Sequence, residues 1–233
     1  VSPIVTTTYY VQATGCGTAT TCKSITITYC SAPSAPASSS ASIGSPANGT
    51  SHKINFYVPT VIGADGYMWD YSLDGVAWVA NWYDTSCAGT CTNYVDFGDK
   101  PNIPVYFRVR AYKCSPKQYS NYTYTLPKPI YTACDVPASP TVNGATSSSL
   151  NLTLNTETPV ANPAITTYSI YCTTTSQYLQ SNGTLGSTEV FQTKSAWGTK
   201  TVTGLTGNTQ YCFYAKAKNN NGDIHHSSKY WTF

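Results

Sequence analysis

Residues 210–218 read QYCFYAKAK, and the alternation within them decides the fold. Tyr211, Phe213, Ala215 and Ala217 fall on one side of an extended chain, and the residues between them fall on the other. That period of two belongs to a strand with one face in a core and one in water. The same beat recurs along the chain. KINFYV (53–58) sets Ile54, Phe56 and Val58 against Lys53, Asn55 and Tyr57. VYFRVRAYKC (105–114) sets Val105, Phe107, Val109 and Ala111 against Tyr106, Arg108 and Arg110. SLNLTLN (149–155) places Leu150, Leu152 and Leu154 on one face. YMWDYSLDGVAWV (67–79) holds two such runs around Asp74-Gly75, a hairpin turn signal.

Composition agrees. Of 233 residues only 10% are charged, the formal net charge is +3, and Glu157 and Glu189 are the only glutamates. Helix formers are scarce, while Tyr, Thr and Val favour strands and Gly, Pro, Asn and Ser favour turns. So low a charge excludes a strongly basic nucleic-acid binder and an acidic tail protein. The chain reads as all-β. Nine cysteines without zinc-type C-x-x-C pairs point to disulfides and an oxidising, extracellular setting. There is no run of 18 apolar residues to insert in a membrane and no signal-peptide pattern. The start in mid-pattern, VSPIVTTTYYVQATG, reads as a segment of a longer exported polypeptide.

A repeated phrase divides the chain. CSAPSAP (30–36) and CDVPASP (134–140) both spell Cys-x-x-Pro-x-x-Pro, 104 residues apart, each after a strand-like run. Proline at these positions fixes φ and stiffens a short linker. The expected parse is residues 1–29 as the last two strands of a preceding domain, 30–133 as one sandwich and 134–233 as another. Each of the two repeats reads as about seven strands in two face-to-face sheets.

Residues 197–228 resemble the E–F–G region of a fibronectin type III domain. Leu205, Thr209 and Tyr211 match that family's Leu-x-x-x-Thr-x-Tyr corner, whose tyrosine hydroxyl bonds back to upstream backbone. YSLDGVAW resembles its C–C′ hairpin and YFRVRAY its F strand, with Val105 in place of the corner tyrosine. TTTYYVQATG and KSITITY resemble the F and G strands of a further Ig-like domain. The resemblance implies tandem Ig-like or fibronectin type III β-sandwiches, of a kind similar to repeats of large bacterial secreted and cell-surface, adhesin-like proteins.

In the topology this implies, Cys16 and Cys22 flank a short F–G loop, Cys87 and Cys91 staple a loop, and Cys172 and Cys212 end neighbouring strands at one pole. The phase of Cys172 and Cys212 is awkward, and a bulge would be needed to join them. Cys30 and Cys114 meet at the top of the first sandwich and tie the linker to it. The position equivalent to Cys114 falls near Asn219 and Asn220, which leaves Cys134 odd: free, paired to another chain, or paired outside this segment.

No catalytic residue, metal site or cofactor is expected. Among motifs, G-x-S-x-G, H-E-x-x-H and phosphate-cradling glycine loops are all missing. His225 and His226 read as loop residues, and Asp65, Asp70, Asp74, Asp84, Asp96 and Asp99 as turn and loop aspartates. Trp69, Trp78, Trp82 and Tyr83 form the one aromatic crowd that could stack on cell-surface glycans. The function expected is therefore non-catalytic: a spacer and contact module whose partners are neighbouring repeats or copies of the same protein. One alternative is a filament subunit completed by strand addition, since residues 1–30 supply two strands with open edges. Another is the accessory, carbohydrate-binding module of an extracellular polysaccharide-degrading enzyme.

Overall fold

The computed structural model describes residues 4–15, 18–44, 52–84, 87, 89–126, 128–138, 140–158, 160–226 and 231–232. An N-terminal hairpin pairs β1 (Thr7–Val11) with a later strand and carries β2 (Thr14–Gly15) and β3 (Thr18–Ala19) at its tip before returning as β4 (Lys23–Ile27). Thr7, Tyr9 and Val11 stand opposite Ile27, Ile25 and Lys23, so one face of this ribbon is largely apolar. Among the described residues it forms a two-stranded sheet of its own, and Ile25 is 60% exposed.

The first sandwich runs β5 (Ser40–Ile43), β6 (Lys53–Pro59), β7 (Gly66–Ser72), β8 (Val79–Asp84), β9 (Thr90–Asp96), β10 (Pro104–Lys113), β11 (Gln118–Tyr119), β12 (Thr123–Tyr124) and β13 (Ile130–Tyr131). One sheet has the order β5-β6-β9. The other has β8 and β7 beside β10, with β11, β12 and β13 in turn on the far side of β10. The alternating residues of 53–58 and 105–111 face each other. Phe56 lies 4.9 Å from Trp69 and 4.4 Å from Phe107, ring centre to ring centre. Such pairs add to the area burial that holds the two sheets together. The Asp74-Gly75 turn closes on itself, with Asp74 Oδ1 accepting from the backbone N–H of Val76 and Ala77 at 2.8 Å each.

The second sandwich runs β14 (Thr141–Asn143), β15 (Ser149–Thr153), β16 (Thr167–Cys172), β17 (Gln177–Leu179), β18 (Leu185–Gly186), β19 (Gln192–Thr193), the single turn α1 (Lys194–Trp197), β20 (Thr199–Thr203), β21 (Cys212–Lys218), β22 (Ile224–His226) and β23 (Trp231–Thr232). Sheet orders β14-β15-β20 and β18-β17-β16-β21-β22 repeat the plan of the first sandwich. Tyr211 Oη accepts from the Thr206 N–H at 2.8 Å, the expected corner. The core is separate from the first and includes Leu152, Tyr168, Trp197 and Phe213. α1 exists because Thr193 caps it, accepting from Ala196 N at 3.3 Å, and because Trp197 anchors it through Nε1 to the Tyr168 carbonyl at 2.8 Å. Strand order and the two cores define an all-β chain of two β-sandwiches in tandem.

Two expectations need correction. Cys172 and Cys212 are not bonded. Cys172 stands opposite Phe213 and is fully buried, whereas Cys212 is one step out of phase and half-buried, on the other face of β21. No bulge interrupts the ladder to bring them together. Trp69 is fully buried between the sheets and offers no ring to a sugar.

Candidate functional site at the joint between the sandwiches

The joint forms where the chain leaves β13, passes Cys134 and enters the second sandwich. Its centre is Asn102, fully buried, with φ of 46°. The sequence around it is KPNIP, and an asparagine is among the few side chains that adopt a left-handed backbone readily. That backbone turns the side chain toward the second sandwich. Asn102 Nδ2 donates to Thr166 Oγ1 at 2.8 Å, Oδ1 accepts from the Asn220 N–H at 3.0 Å, and the Asn102 N–H donates to the Ala133 carbonyl at 2.9 Å.

The turn after β21 supplies the other half. Asn219 Nδ2 donates to the Thr132 carbonyl at 3.1 Å, and its Oδ1 accepts from the N–H groups of Asn221 and Asp223. Asn221 pairs with the Tyr131 backbone as a strand would, accepting from its N–H at 2.9 Å and donating to its carbonyl at 2.8 Å. Asn102 and Asn219 satisfy groups at the buried centre of the joint, while the Asn221 pair closes its exposed edge. This turn occupies the place where a cysteine equivalent to Cys114 would stand. In the first sandwich that place holds the Cys30–Cys114 disulfide, with Cα atoms 6.5 Å apart. Hydrogen bonds do at one joint what a covalent bond does at the other.

Two ionisable groups complete the joint. His52 precedes β6 and is 2% exposed. Its Nδ1 meets the Gly98 carbonyl, and its Nε2 lies 3.0 Å from Asp135 Oδ1, an ion-pair distance without the alignment of a hydrogen bond. Both neighbours are acceptors, so only the imidazolium has a proton for each. Burial alone would lower the His52 pKa, but Asp135, the Gly98 carbonyl and the Asp96 charge together hold it above its ordinary value. Asp135 is held from behind by Asn162, which accepts from its N–H at 2.8 Å and donates to its carbonyl at 2.9 Å. The Asn162 N–H in turn donates to Glu157 Oε2 at 3.2 Å. Buried Glu157 also accepts from Tyr168 Oη at 2.9 Å and from Lys194 Nζ at 2.8 and 3.0 Å.

A pH dependence follows. A group whose folded pKa is raised stabilises the fold fully below its unfolded pKa, here 6.5, and loses that contribution as pH rises through the folded value. Thermal unfolding followed from pH 5.5 to 8.5 is expected to show the His52 contribution fading across the upper part of that range. In His52→Gln the fading is absent; equal slopes in both proteins would refute the His52–Asp135 contact as its source.

The other expected site residues are placed as follows. Cys87 and Cys91 are bonded, with Cα atoms 5.2 Å apart. Cys22 is exposed, and its expected partner Cys16 lies outside the described residues. Cys134 is 1% exposed within the second core, and burial, then Asp135, Glu157 and Asp223, push its thiol pKa up to about 12. It is a neutral core thiol that no other chain can reach while the sandwich is folded. Trp78 is stacked, with the Arg108 guanidinium 4.2 Å from its ring centre. Arg108 also lies 3.9 Å from the Tyr122 ring and bonds Asp70 Oδ2 at 2.9 Å, so this face is a closed cation–aromatic ladder rather than an open row of rings. The side chains of Trp82, Tyr83, His225 and His226 lie outside the described residues. Among the described residues, no group of three His, Cys, Asp or Glu could hold a metal ion.

Sequence reasoning named the NNNG turn but missed Asn102, His52 and Asp135. The available signal was the asparagine between two prolines in KPNIP, a turn residue with few other conformations open to it.

No family model and no curated protein matches this chain. Solved structures similar to it include the FN1–FN3 domains of chicken CNTN1, at 17% identity and a TM-score of 0.36, covering 96% of this chain and 75% of that one. A two fibronectin type III domain segment of chicken tenascin is 12% identical with a TM-score of 0.45, covering 85% and 99%. The central fibronectin III array of RIM-binding protein is 18% identical with a TM-score of 0.27, covering 87% and 68%.

Proposed function

We propose that this chain is a non-catalytic spacer and contact segment of a secreted or cell-surface repeat protein, whose sandwiches are held end to end by an ordered joint. The observation that carries this reading is the buried Asn102, which bonds the two sandwiches directly through Thr166 and Asn220. A loose linker would leave those groups in water. Disulfides in the described residues support the oxidising setting.

The test is rotational diffusion by ¹⁵N relaxation. The two sandwiches of the native chain are expected to share one correlation time. Asn102→Gly keeps the left-handed backbone available and removes the amide, leaving Thr166 and the Asn220 N–H without their partner, at a cost of about 2–3 kcal/mol at the joint. The two correlation times should then separate while each sandwich stays folded. Independent tumbling in the native chain would overturn the reading.

The filament alternative has one observation in its favour. Tyr9, Ile25 and Ile27 lie exposed on one face of the β1–β4 hairpin, as an inner sheet face lacking its opposite sheet would. Sedimentation across a range of concentrations tests it, with a monomer throughout counting against self-assembly.

A further inference from the structure

The far pole of the second sandwich repeats the architecture of the pole that receives it. In the first sandwich, Phe97 N donates to the His52 carbonyl; in the second, Leu205 N donates to the Ser148 carbonyl. These bonds equate Phe97 with Leu205 and His52 with Ser148. Core phase equates Val105 with Tyr211. Three residues before each lies an asparagine, Asn102 and Asn208, and both have positive φ, 46° and 56°. The loop between the anchors is two residues shorter in the second sandwich.

The two asparagines differ in occupancy. Asn102 is buried against Thr166 and Asn220. Asn208 is exposed, with no hydrogen bond among the described residues. It lies on a groove of about 630 Å³ that is also lined by Gly144, Thr146, Leu205 and Tyr211. We propose that this groove is a socket for a further sandwich of the same kind, with Asn208 bonding it as Asn102 bonds the second sandwich. The partner must present what the second sandwich presents to the first: a hydroxyl ahead of its third strand, for Asn208 Nδ2, and a free backbone N–H in the turn after its F strand, for Asn208 Oδ1. A sandwich of the same plan offers that pair at the ends of two loops, as Thr166 and the Asn220 N–H do to Asn102. The new joint differs in one respect. Ser148 replaces His52, so the joint has no imidazolium to pair with the residue equivalent to Asp135.

This rests on the joint having the ordered character argued above, and one experiment separates the two. The full chain is extended after Phe233 by a second copy of residues 131–233, and ¹⁵N relaxation is read for all three sandwiches. A single correlation time is expected. Asn208→Gly should free only the third sandwich, and Asn102→Gly should loosen only the first joint. Raising the pH from 5.5 to 8.5 should loosen the first joint alone. If the first joint is ordered while the third sandwich tumbles independently, or stays unfolded where the same sequence folds against the first sandwich, the socket is overturned and the spacer reading stands. If both joints are loose, the spacer reading falls too. A third sandwich docked equally well with Asn208→Gly also overturns the proposal.

Discussion

Replacing Cys30 and Cys114 together by serine is expected to lower the stability of the first sandwich by about 4–5 kcal/mol. The bond spans 84 residues, and the entropy that a cross-link removes from the unfolded chain grows with the logarithm of the loop it closes. Replacing Cys87 and Cys91, which span only 4, should cost about 2 kcal/mol by the same relation. Denaturant titration of both double variants measures the difference. The Cys30 bond also restrains the hairpin ahead of it, so its loss should release β1 and β4 from common tumbling with the first sandwich. Equal losses in the two variants would show that loop length is not what these bonds act through.

Lys194→Ala is expected to cost about 3–5 kcal/mol, because it leaves a buried carboxylate without its counter-charge. The Glu157 side chain is 2% exposed and that of Lys194 27%, so Lys194 links a buried charge to the surface. Adding Glu157→Gln to Lys194→Ala should recover much of the loss, since the charge is gone, the amide oxygen still accepts from the Asn162 N–H, and the amide NH2 can donate to Tyr168 Oη once that hydroxyl turns to accept. Denaturant midpoints of the single and double variants decide it: a double variant no more stable than the single would mean that packing by the lysine stem, not charge, sets the cost. The effect should reach the joint as well. Glu157 holds the Asn162 backbone, and the Asn162 side chain holds Asp135 opposite His52.

The legible part of the molecule was that governed by local periodicity. Leu150, Leu152 and Leu154 announce a buried face by spacing alone, and Tyr211 announces its corner by its place two residues after Thr209 and six after Leu205. Cys30 and Cys114 were legible only through topology, because what brings them together is the pole at which two distant segments end. The misreadings have the same origin. Trp69 looked like part of an exposed aromatic crowd because Trp78 and Tyr71 surround it in sequence, yet strand phase turns Trp69 inward against Phe56 while Trp78 lies under Arg108. For Cys172 and Cys212 neighbouring strands were inferred correctly, but register put one thiol in the core and the other outside it.

By itself, the sequence determined the all-β class, the alternation that builds each sheet, and the repeat marked by Cys30 and Cys134. These follow from interactions between residues a few positions apart, or from composition. Only the tertiary structure decided the joint. Asn102 and Asn220 are 118 residues apart, His52 and Asp135 come from different strand ends, and each is an ordinary turn residue until the fold removes water from between them. Burial is what turns a turn asparagine into a clasp and a lone histidine into a proton-dependent contact, and burial is a property of the assembled chain.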